Sequence, residues 1–426
     1  MSRDGGSEGR ARRPRGGARR ATADGGGIRV SSETDVRFMR RALALARRGG
    51  LATRPNPRVG AVFVRDGRII AEGYHRRAGG PHAEIDALAG VDGRAPGATA
   101  YVTLEPCSHT GRTPPCTKAL LQAGLARVVV GVRDPNPLVD GRGLAALRRA
   151  GVTVDVGCLE DECRALNRAF FVWIRDRRPL VTLKAAASWD GFIADGRPRA
   201  RVAPVWLTGP AAREAAHALR SAHHAILVGA GTVRADDPQL TDRRPLAPSQ
   251  PRRVQRRGVV QPRRVVQPRR VVQPRRVVID GRLAISPSAA VLRHAGENGG
   301  MTLVFGAASA AAEDRARALR AAGADVVLLA GGSDGRLDVA AVLAELAKRE
   351  IQSVLVEGGA ATHAAFIEAG LVDRVALFLA PRLLGAGIPI ARDGQGRSVA
   401  DSLRLGPPTI RRLGDDLLLE ADVLGR

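Results

Sequence analysis

The first clear pattern of apolar and polar positions lies between residues 36 and 46, where apolar side chains recur every three or four positions. This spacing predicts an amphipathic helix with one buried face. Ser32 followed by Asp35 is the pattern of a capping box at the start of that helix. Gly49-Gly50 marks its end.

Shorter apolar runs, separated by Gly, Pro and Asp, predict the elements that follow. These are a hairpin of residues 59–64 and 68–71 around Asp66-Gly67, a helix opening near His82, a strand at 99–103, a helix from Pro114-Pro115 to Gly124 and a strand at 128–132. Strand and helix patterns then alternate to about residue 175, and again from residue 180 to 424. Such alternation is typical of α/β folds with partly parallel sheets.

The chain has 426 residues, which exceeds the roughly 100 to 200 residues of a usual single domain. The charged run at residues 175–179 is the predicted boundary. We therefore predict one α/β domain over residues 31–177 and a second over residues 178–426. Residues 1–30 are polar, Gly-rich and Arg-rich, and we predict a disordered basic tail.

The chain is strongly basic, because 67 Lys and Arg residues oppose 42 Asp and Glu residues and give a net charge of +25. Such a charge first indicates nucleic acid or an acidic membrane surface as partner. However, residues 1–29 contribute +5 and residues 251–276 contribute +10. Only +10 remains for the rest of the chain, so most of the excess lies in two segments.

The second basic segment is a repeat, since QPRRVV occurs at residues 261–266, 267–272 and 273–278. The last copy leads into a predicted strand at residues 277–280. Arg and Val pairs interrupted by Pro do not suit a central strand, so we predict a solvated low-complexity insertion at about residues 247–276. An RNA-binding arm is the alternative, but aromatic stacking residues are absent there, and we expect no nucleic-acid partner.

The four cysteines, Cys107, Cys116, Cys158 and Cys163, are too few for a disulfide scaffold in so long a chain. The sequence holds no apolar run of about 18 residues that could cross a membrane. It also has no apolar stretch near Met1. We expect a cytoplasmic protein with no membrane partner, in which Cys158 and Cys163 are ordinary thiols.

The other two cysteines belong to a pattern with metal-binding chemistry. His82-Ala83-Glu84 is followed by Pro106-Cys107 and Pro115-Cys116. One His and two Cys suit tetrahedral Zn²⁺ with a fourth position open for water. Both cysteines follow a proline where a helix is expected to begin, and unpaired N–H groups there favour a thiolate. Glu84 is placed to move a proton from an attacking water to a departing amine, as in zinc deaminases.

Several segments together resemble the bifunctional riboflavin-biosynthesis deaminase/reductase family. They are PNPRVG at 55–60, GYH at 73–75, PHAE at 81–84, TLEPCSHTGRTPPC at 103–116 and DPNP at 134–137. The eight residues between the two cysteines are that family's mark among zinc deaminases. The resemblance implies a cytidine-deaminase-like three-layer domain followed by a dihydrofolate-reductase-like α/β domain.

For the first domain, the resemblance implies zinc on His82, Cys107 and Cys116, with Glu84 as proton shuttle. The implied substrate is 2,5-diamino-6-(5-phosphoribosylamino)pyrimidin-4(3H)-one, with Asn56 and His75 near it. Asn56 also fits a turn between two prolines, and His75 also fits a supporting or surface position. His109 and Arg112 are candidates for the substrate phosphate or plain loop residues.

The second domain has no GxGxxG at a strand-to-helix turn, and GRGLAA at 141–146 lies too far from its preceding strand to be one. Instead it has Gly-rich and strand-end segments, which resemble the family's NADPH-dependent reductase half. These are LK at 183–184, SWDG at 188–191, WLT at 206–208, GTV at 231–233, ADDP at 235–238 and VLVEGG at 354–359. The implied reaction is hydride transfer to C1′ of the opened ribose.

The resemblance implies cofactor and substrate contacts in this half. Those to NADPH are Ala187, Trp206, Thr232, Asp236, Gly281, Gly359, Ala360, Ala361, Thr362, His363, Ala364 and Ala365. Those to substrate are Arg220, Leu240, Arg243 and Glu357. Arg220 and Arg243 also fit ordinary surface positions. Lys184 is one of three lysines beside 64 arginines, and we hypothesise that Lys184 and Glu357 assist proton transfer during ring opening.

Other functions are also compatible with parts of the sequence. The reductase half departs from the family's pattern at Pro204, at Trp189 and in the repeat. A deaminase-only enzyme and a paralogue in a related pathway are therefore alternatives. A tRNA-base deaminase would share the His-Ala-Glu and Pro-Cys patterns, but not the cysteine spacing or the second domain. A catalytically silent binding protein is disfavoured by the intact ligand set. The family also implies a homodimer or homotetramer formed through the reductase domain.

Overall fold

The computed structural model describes residues 32–108, 115–196, 205–244, 273–293, 301–332, 334–392, 394 and 396–425. The predicted basic tail and the repeat copies before Gln273 lie outside these residues. So do His109, Arg112 and Pro204, which the sequence analysis singled out.

The N-terminal half contains one five-stranded mixed sheet with helices on both faces. Its elements are α1 (Glu33–Arg47), β1 (Gly60–Arg65), β2 (Arg68–Tyr74), α2 (Ala83–Leu88), β3 (Thr99–Leu104), α3 (Cys116–Gln122), β4 (Arg127–Val132), α4 (Arg142–Arg149), β5 (Thr153–Val156), α5 (Glu160–Leu166) and α6 (Arg168–Asp176). The strand order is β2-β1-β3-β4-β5. The pairs β1–β2 and β1–β3 are antiparallel, and β3–β4 and β4–β5 are parallel.

Helix α1 shows why local patterns predict this half well. Ser32 and Asp35 form the expected capping box, with each side chain bonded to the other residue's backbone N–H. The apolar face of α1 packs with α5 and α6 on one side of the sheet. Helices α2, α3 and α4 pack on the other side. The three-layer arrangement predicted from the resemblance is confirmed.

The C-terminal half contains a nine-stranded sheet and a small two-stranded one. Its elements are β6 (Leu180–Ser188), β7 (Phe192–Ala194), α7 (Pro210–Ala222), β8 (Ala225–Gly229), α8 (Ala230–Asp236), β9 (Arg275–Ile279), α9 (Ala290–Arg293), β10 (Thr302–Ala307), α10 (Ala310–Ala321), β11 (Ala324–Leu329), α11 (Val339–Lys348), β12 (Ser353–Gly358), α12 (Ala360–Glu368), β13 (Arg374–Ala380), β14 (Ile388–Pro389), β15 (Thr409–Leu413) and β16 (Asp416–Asp422). The large sheet has the order β11-β10-β9-β8-β12-β6-β13-β16-β15, and β14 pairs with β7.

In the large sheet the strands from β11 to β13 are parallel, and β16 and β15 add antiparallel strands at one edge. Helices α11 and α12 pack on one face, and α8, α9 and α10 pack on the other. Parallel strands covered on both faces are the arrangement that the α/β alternation predicts. The predicted α/β class is confirmed for this half also.

The last copy of the repeat differs from the expectation that such a sequence stays outside the sheet. Arg275 and Arg276 belong to β9, which lies between β8 and β10. The Arg276 side chain is only 3% exposed, and its Nε donates to Thr302 Oγ1 at 3.0 Å. A buried hydroxyl partner therefore lets an arginine occupy a central strand, which composition alone argued against.

The two chain segments that border the rest of the repeat lie side by side. The Asp242 N–H donates to Gln273 Oε1 at 2.8 Å, and Gln273 Nε2 donates to the Asp242 carbonyl at 3.0 Å. The described residues on either side of 245–272 therefore lie next to each other.

The two halves contact each other where α6 leads into β6. Arg178 makes two 2.7 Å hydrogen bonds to the Asp373 carboxylate, and the Trp173 indole N–H donates to the Ala347 carbonyl at 3.2 Å. Residues 177–179 separate α6 from β6, and we predict the domain boundary there. No helix among the described residues is long and apolar enough to cross a membrane.

Deleting residues 255–272 should leave ammonia release and NADPH oxidation within a few-fold of the full-length chain. The hydrogen-bonded pair of Asp242 and Gln273 remains to close the shortened loop, and shortening a loop changes its closure entropy little. The two activities and the thermal unfolding midpoint of the deletion variant measure this. A collapse of NADPH oxidation would show that the repeat contributes to the reductase site.

Candidate functional site

Three potential metal ligands converge at one end of the first sheet. His82 is the N-cap residue of α2, Cys107 lies in the loop after β3, and Cys116 is the first residue of α3. His82 Nδ1 lies 3.2 Å from Cys116 Sγ and 3.6 Å from Cys107 Sγ. All three donor atoms lie within 4.8 Å of one another, the single such cluster found in the described part of the chain. One nitrogen and two sulfur donors fit a zinc ion with an open position.

In the absence of a metal, the pKa values of the two cysteines shift in opposite directions. A hydrogen bond from the Cys116 thiol, together with His82, lowers the pKa of Cys107 to about 4. The same hydrogen bond and burial raise the pKa of Cys116. The expected helix start at Cys107 is wrong, because Cys107 lies in a loop. Its thiolate instead accepts the Cys116 backbone N–H at 3.4 Å.

Glu84 lies directly beside the ligand cluster, in the first turn of α2. Its side chain is 3% exposed. Burial, and after it the nearby Cys107 charge, raise the pKa of Glu84 to about 7. A carboxyl group with this pKa can accept and release a proton near neutral pH.

Asn56 and His75 form a hydrogen-bonded pair behind His82. Asn56 Nδ2 lies 3.1 Å from His75 Nε2, and His75 Nδ1 lies 2.9 Å from the Pro81 carbonyl. The His75 ring meets the His82 ring edge-on, with centroids 5.7 Å apart. His75 is 2% exposed, so the surface alternative for it is wrong. Burial also lowers the pKa of His75 and favours the neutral ring.

A second buried polar cluster joins three elements of the C-terminal half. Lys184 of β6 and Glu357 of β12 lie on neighbouring parallel strands, next to the paired residues Leu183 and Val356. Arg220 of α7 binds Glu357 with two hydrogen bonds of 2.7 Å. The surface alternative for Arg220 is therefore wrong, since it is a buried partner of Glu357.

The charges in this cluster affect the pKa values of Glu357 and Lys184. Burial alone would raise the pKa of Glu357, but Arg220 and Lys184 together lower it to about 2. Burial lowers the pKa of Lys184, although the Glu357 charge partly opposes this. Glu357 therefore stays a carboxylate near neutral pH. The pKa of Lys184, in contrast, moves toward neutral pH.

A cavity of about 570 Å³ opens at the carboxyl ends of β8 and β9, beside the first turns of α12. Part of the predicted cofactor set lines it, namely Gly281, Ala361, Thr362, Ala364 and Ala365. The remaining predicted residues lie outside its lining, namely Ala187, Trp206, Thr232, Asp236, Gly359, Ala360 and His363. Sequence reasoning missed Arg234, Arg282 and Arg336, which line the cavity from three separate segments.

The remaining substrate candidates follow α8 along the chain. The Leu240 side chain is buried in the core under α8. Arg243 is exposed, and its Nη1 lies 3.4 Å from Gln239 Oε1. Between them, the Thr241 carbonyl accepts a 3.1 Å hydrogen bond from Arg220. This segment therefore passes directly over the Arg220–Glu357 pair.

Two family models together match most of the chain. The model described as the RibD C-terminal domain matches residues 179–419. The model described as the cytidine and deoxycytidylate deaminase zinc-binding region matches residues 32–132. The riboflavin biosynthesis protein RibD of Aquifex aeolicus is 39% identical over 387 residues, which cover 91% of this chain and 98% of that protein. The chain belongs to the RibD family.

Other RibD proteins agree in sequence and in structure. RibD of Escherichia coli is 39% identical over 90% of this chain and 98% of its own length. The solved structure of Acinetobacter baumannii RibD matches with a TM-score of 0.74 at 35% identity, covering 92% of this chain and 99% of that one. The corresponding Thermotoga maritima deaminase/reductase matches with a TM-score of 0.73 at 33% identity, over the same shares of both chains.

Membership of the RibD family confirms the function predicted from the sequence. The chain is a bifunctional deaminase and reductase of riboflavin biosynthesis, with a zinc-binding deaminase region and an NADPH-using reductase region. The matched reductase half contradicts the alternative of a tRNA-base deaminase, because that function needs no second domain of this kind.

Proposed function

We propose that the N-terminal half hydrolyses the 2-amino group of 2,5-diamino-6-(5-phosphoribosylamino)pyrimidin-4(3H)-one. The C-terminal half then reduces the ribosyl group of the product to ribityl with NADPH. The observation that carries this proposal is the convergence of three zinc-type ligands and a buried carboxyl group, on one chain with a buried Lys–Glu–Arg cluster. The primary pathway enzyme is favoured over a paralogue by identity along nearly the whole chain.

His82, Cys107 and Cys116 would hold the zinc ion, which when bound supplies the Lewis acidity that makes a water nucleophilic near neutral pH. Glu84 accepts the proton of the attacking water and delivers it to the departing amine. The new C–O bond at C2 replaces the C–N bond, and ammonia leaves. A pKa of about 7 lets Glu84 perform both transfers.

His75 and Asn56 orient the pyrimidine. The Pro81 carbonyl can only accept a hydrogen bond, so His75 Nδ1 carries the ring proton and Nε2 accepts from the Asn56 amide. This arrangement turns the Asn56 carbonyl oxygen away from His75. That oxygen is then available to accept an N–H of the substrate ring.

In the reductase half, bound NADPH supplies the hydride for C1′ of the opened ribose. Lys184 moves the proton that accompanies ring opening, because its pKa is lowered by burial. We assign Glu357 a different role from our first hypothesis. As a carboxylate held by Arg220, it orients Lys184 and contacts substrate with Arg220, Arg243 and the backbone at Leu240, whose side chain is in the core, but it does not itself transfer a proton.

NADPH would bind in the 570 Å³ cavity and extend over the β6 and α8 segments that hold the other predicted contacts. Arg336 pairs with Asp334 at 3.2 Å. In contrast, Arg234 and Arg282 have no ion-pair partner among the residues with described positions. A guanidinium without a carboxylate partner suits the 2′-phosphate that distinguishes NADPH from NADH.

We infer a cytoplasmic enzyme that assembles as a homodimer or homotetramer through its reductase half. Strand β15 supports the assembly, because it lies at the end of the described sheet and its residues are largely exposed. Exposed strand edges favour pairing with a second chain. We propose no nucleic-acid partner, since a phosphorylated pyrimidine and NADPH account for positive charge near both sites.

The substitution Glu84→Gln should abolish ammonia release, by a factor of about 10² to 10⁴, while about one zinc per chain is retained. The amide keeps the size of the side chain but cannot carry the proton. Zinc content by elemental analysis and ammonia release measure the two effects. The exposed Glu162→Gln serves as the control. Normal ammonia release by Glu84→Gln would show that another group moves the proton.

The substitution Lys184→Arg should lower NADPH oxidation by about 10² to 10⁴, with ammonia release unchanged. Arginine keeps the positive charge but does not release a proton. If protonated Lys184 is the acid, wild-type NADPH oxidation should fall as the pH rises through its lowered pKa, below the usual 10.5. The pH profile with deaminated substrate measures this, with the exposed Lys348→Arg as control. An unchanged alkaline limb in Lys184→Arg would rule out the assignment.

The substitution Arg282→Ala should raise the KM for NADPH about tenfold, the effect of losing one charge-assisted hydrogen bond. The KM for NADH should hardly change, because NADH has no 2′-phosphate. Arg317→Ala on the exposed face of α10 is the matched control. Equal effects on both cofactors would place the 2′-phosphate elsewhere.

A further inference from the structure

Glu105 is a buried carboxylate that the deaminase mechanism does not use. It follows the last residue of β3 and precedes Pro106-Cys107. Its side chain is 4% exposed. None of the ion pairs found among the described residues involves it, although a buried carboxylate normally needs a cation or several hydrogen-bond donors.

The donors are four backbone N–H groups from the β4–α4 connection and the first turn of α4. Oε1 accepts from Gly143 at 3.0 Å and from Leu144 at 3.4 Å. Oε2 accepts from Gly141 at 3.0 Å and from Asp134 at 3.3 Å. Both oxygens of Glu105 are therefore fully engaged with the backbone of residues 134–144.

This contact replaces the missing cap of α4. The N-cap residue of α4 is Gly141, which has no side chain to cap the helix and adopts a left-handed conformation with φ of +83°. The free N–H groups and the positive end of the helix dipole attract an anion. Glu105 supplies that anion from another strand, so the Gly-Arg-Gly segment binds an internal carboxylate rather than a dinucleotide phosphate.

The helix also approaches the chain next to Glu105 very closely. A Cβ atom on Gly143 would lie 2.1 Å from the Pro106 carbonyl oxygen. Glycine at this position therefore lets the first turn of α4 lie against the Pro106 backbone. Cys107 is the next residue, and its own carbonyl accepts the Thr117 N–H of α3 at 3.2 Å.

We infer that Glu105 is a positioning residue for the metal centre, and that it holds Cys107 in place by fixing the Glu105-Pro106 backbone against α4. Cys107 lies in a loop, and no helix within the described part of the chain contains it. Its backbone is held on one side by the Glu105–α4 contact and on the other by α3. This inference rests on the proposed zinc ligands.

Glu105→Gln tests the inference, because one oxygen becomes an NH₂ group that faces backbone donors and cannot accept from them. Supporting groups around metal ligands typically change metal affinity by about 10- to 100-fold. We expect the full-length variant to lose zinc to a chelator at least about tenfold faster. We also expect an altered sulfur-to-metal charge-transfer band in the Co²⁺-substituted protein. NADPH oxidation of already deaminated substrate should stay within about twofold, since the other half is intact.

Gly143→Ala provides a second variant that leaves Glu105 chemically unchanged but crowds the same contact, since its Cβ would lie 2.1 Å from the Pro106 carbonyl oxygen and 3.2 Å from Glu105 Oε1. It should speed zinc loss in the same direction. Leu147→Ala is the control, because Leu147 is a buried core residue of the same helix. It should lower the unfolding temperature but leave the Co²⁺ band unchanged. Zinc loss and a Co²⁺ band equal to wild type in both Glu105→Gln and Gly143→Ala would overturn the inference. The zinc-release rate tests the role of Glu105 without any substrate. It therefore stays informative even if the ammonia assay contradicts the proposed substrate.

Discussion

The N-terminal half is organised around one constraint, which is that three donor atoms from three separate chain segments must lie within 4.8 Å of one another. Two helices begin at this point, since His82 is the N-cap residue of α2 and Cys116 is the first residue of α3. The third proposed ligand, Cys107, lies in a loop that follows the central strand β3. The order of the sheet, with β3 between β1 and β4, brings these segments to one edge. The zinc centre is thus a property of the whole three-layer fold.

In both halves, burial shifts the pKa of the group to which we assign proton transfer. Burial disfavours the charged form of any side chain, so it raises the pKa of a carboxyl group and lowers that of an amine. Burial is the largest cause of the pKa shifts of Glu84 and Lys184, which run in opposite directions, and each shift leads toward neutral pH. Glu357 is equally buried, but Arg220 and Lys184 compensate its charge. Neighbouring cations therefore keep Glu357 ionised, whereas the carboxyl group of Glu84 titrates near neutral pH.

Much of the fold and of the metal centre could be predicted from the sequence because the patterns that specify them are local or depend on distinctive spacing. The capping box of α1 and the convergence of His82 with Cys116, the proposed ligands, are examples. The pairing of Arg220 with Glu357 joins residues 137 positions apart and depends on sheet order, so the spacing of charges could not reveal it. The same is true of Arg276, which is buried in β9 and donates to the Thr302 hydroxyl of another strand. Glu105 was overlooked because its partners are backbone groups, which carry no residue identity.

The central claim is that one chain carries out two successive reactions at two sites. It is tested most directly by incubating the purified zinc-loaded chain with 2,5-diamino-6-(5-phosphoribosylamino)pyrimidin-4(3H)-one and NADPH, and by quantifying ammonia and NADP⁺ in the same sample. The account predicts equal amounts of ammonia and NADP⁺, with ammonia appearing first and also forming when NADPH is omitted. Ammonia without NADPH oxidation would contradict the reductase assignment, and the absence of both products would contradict the account as a whole.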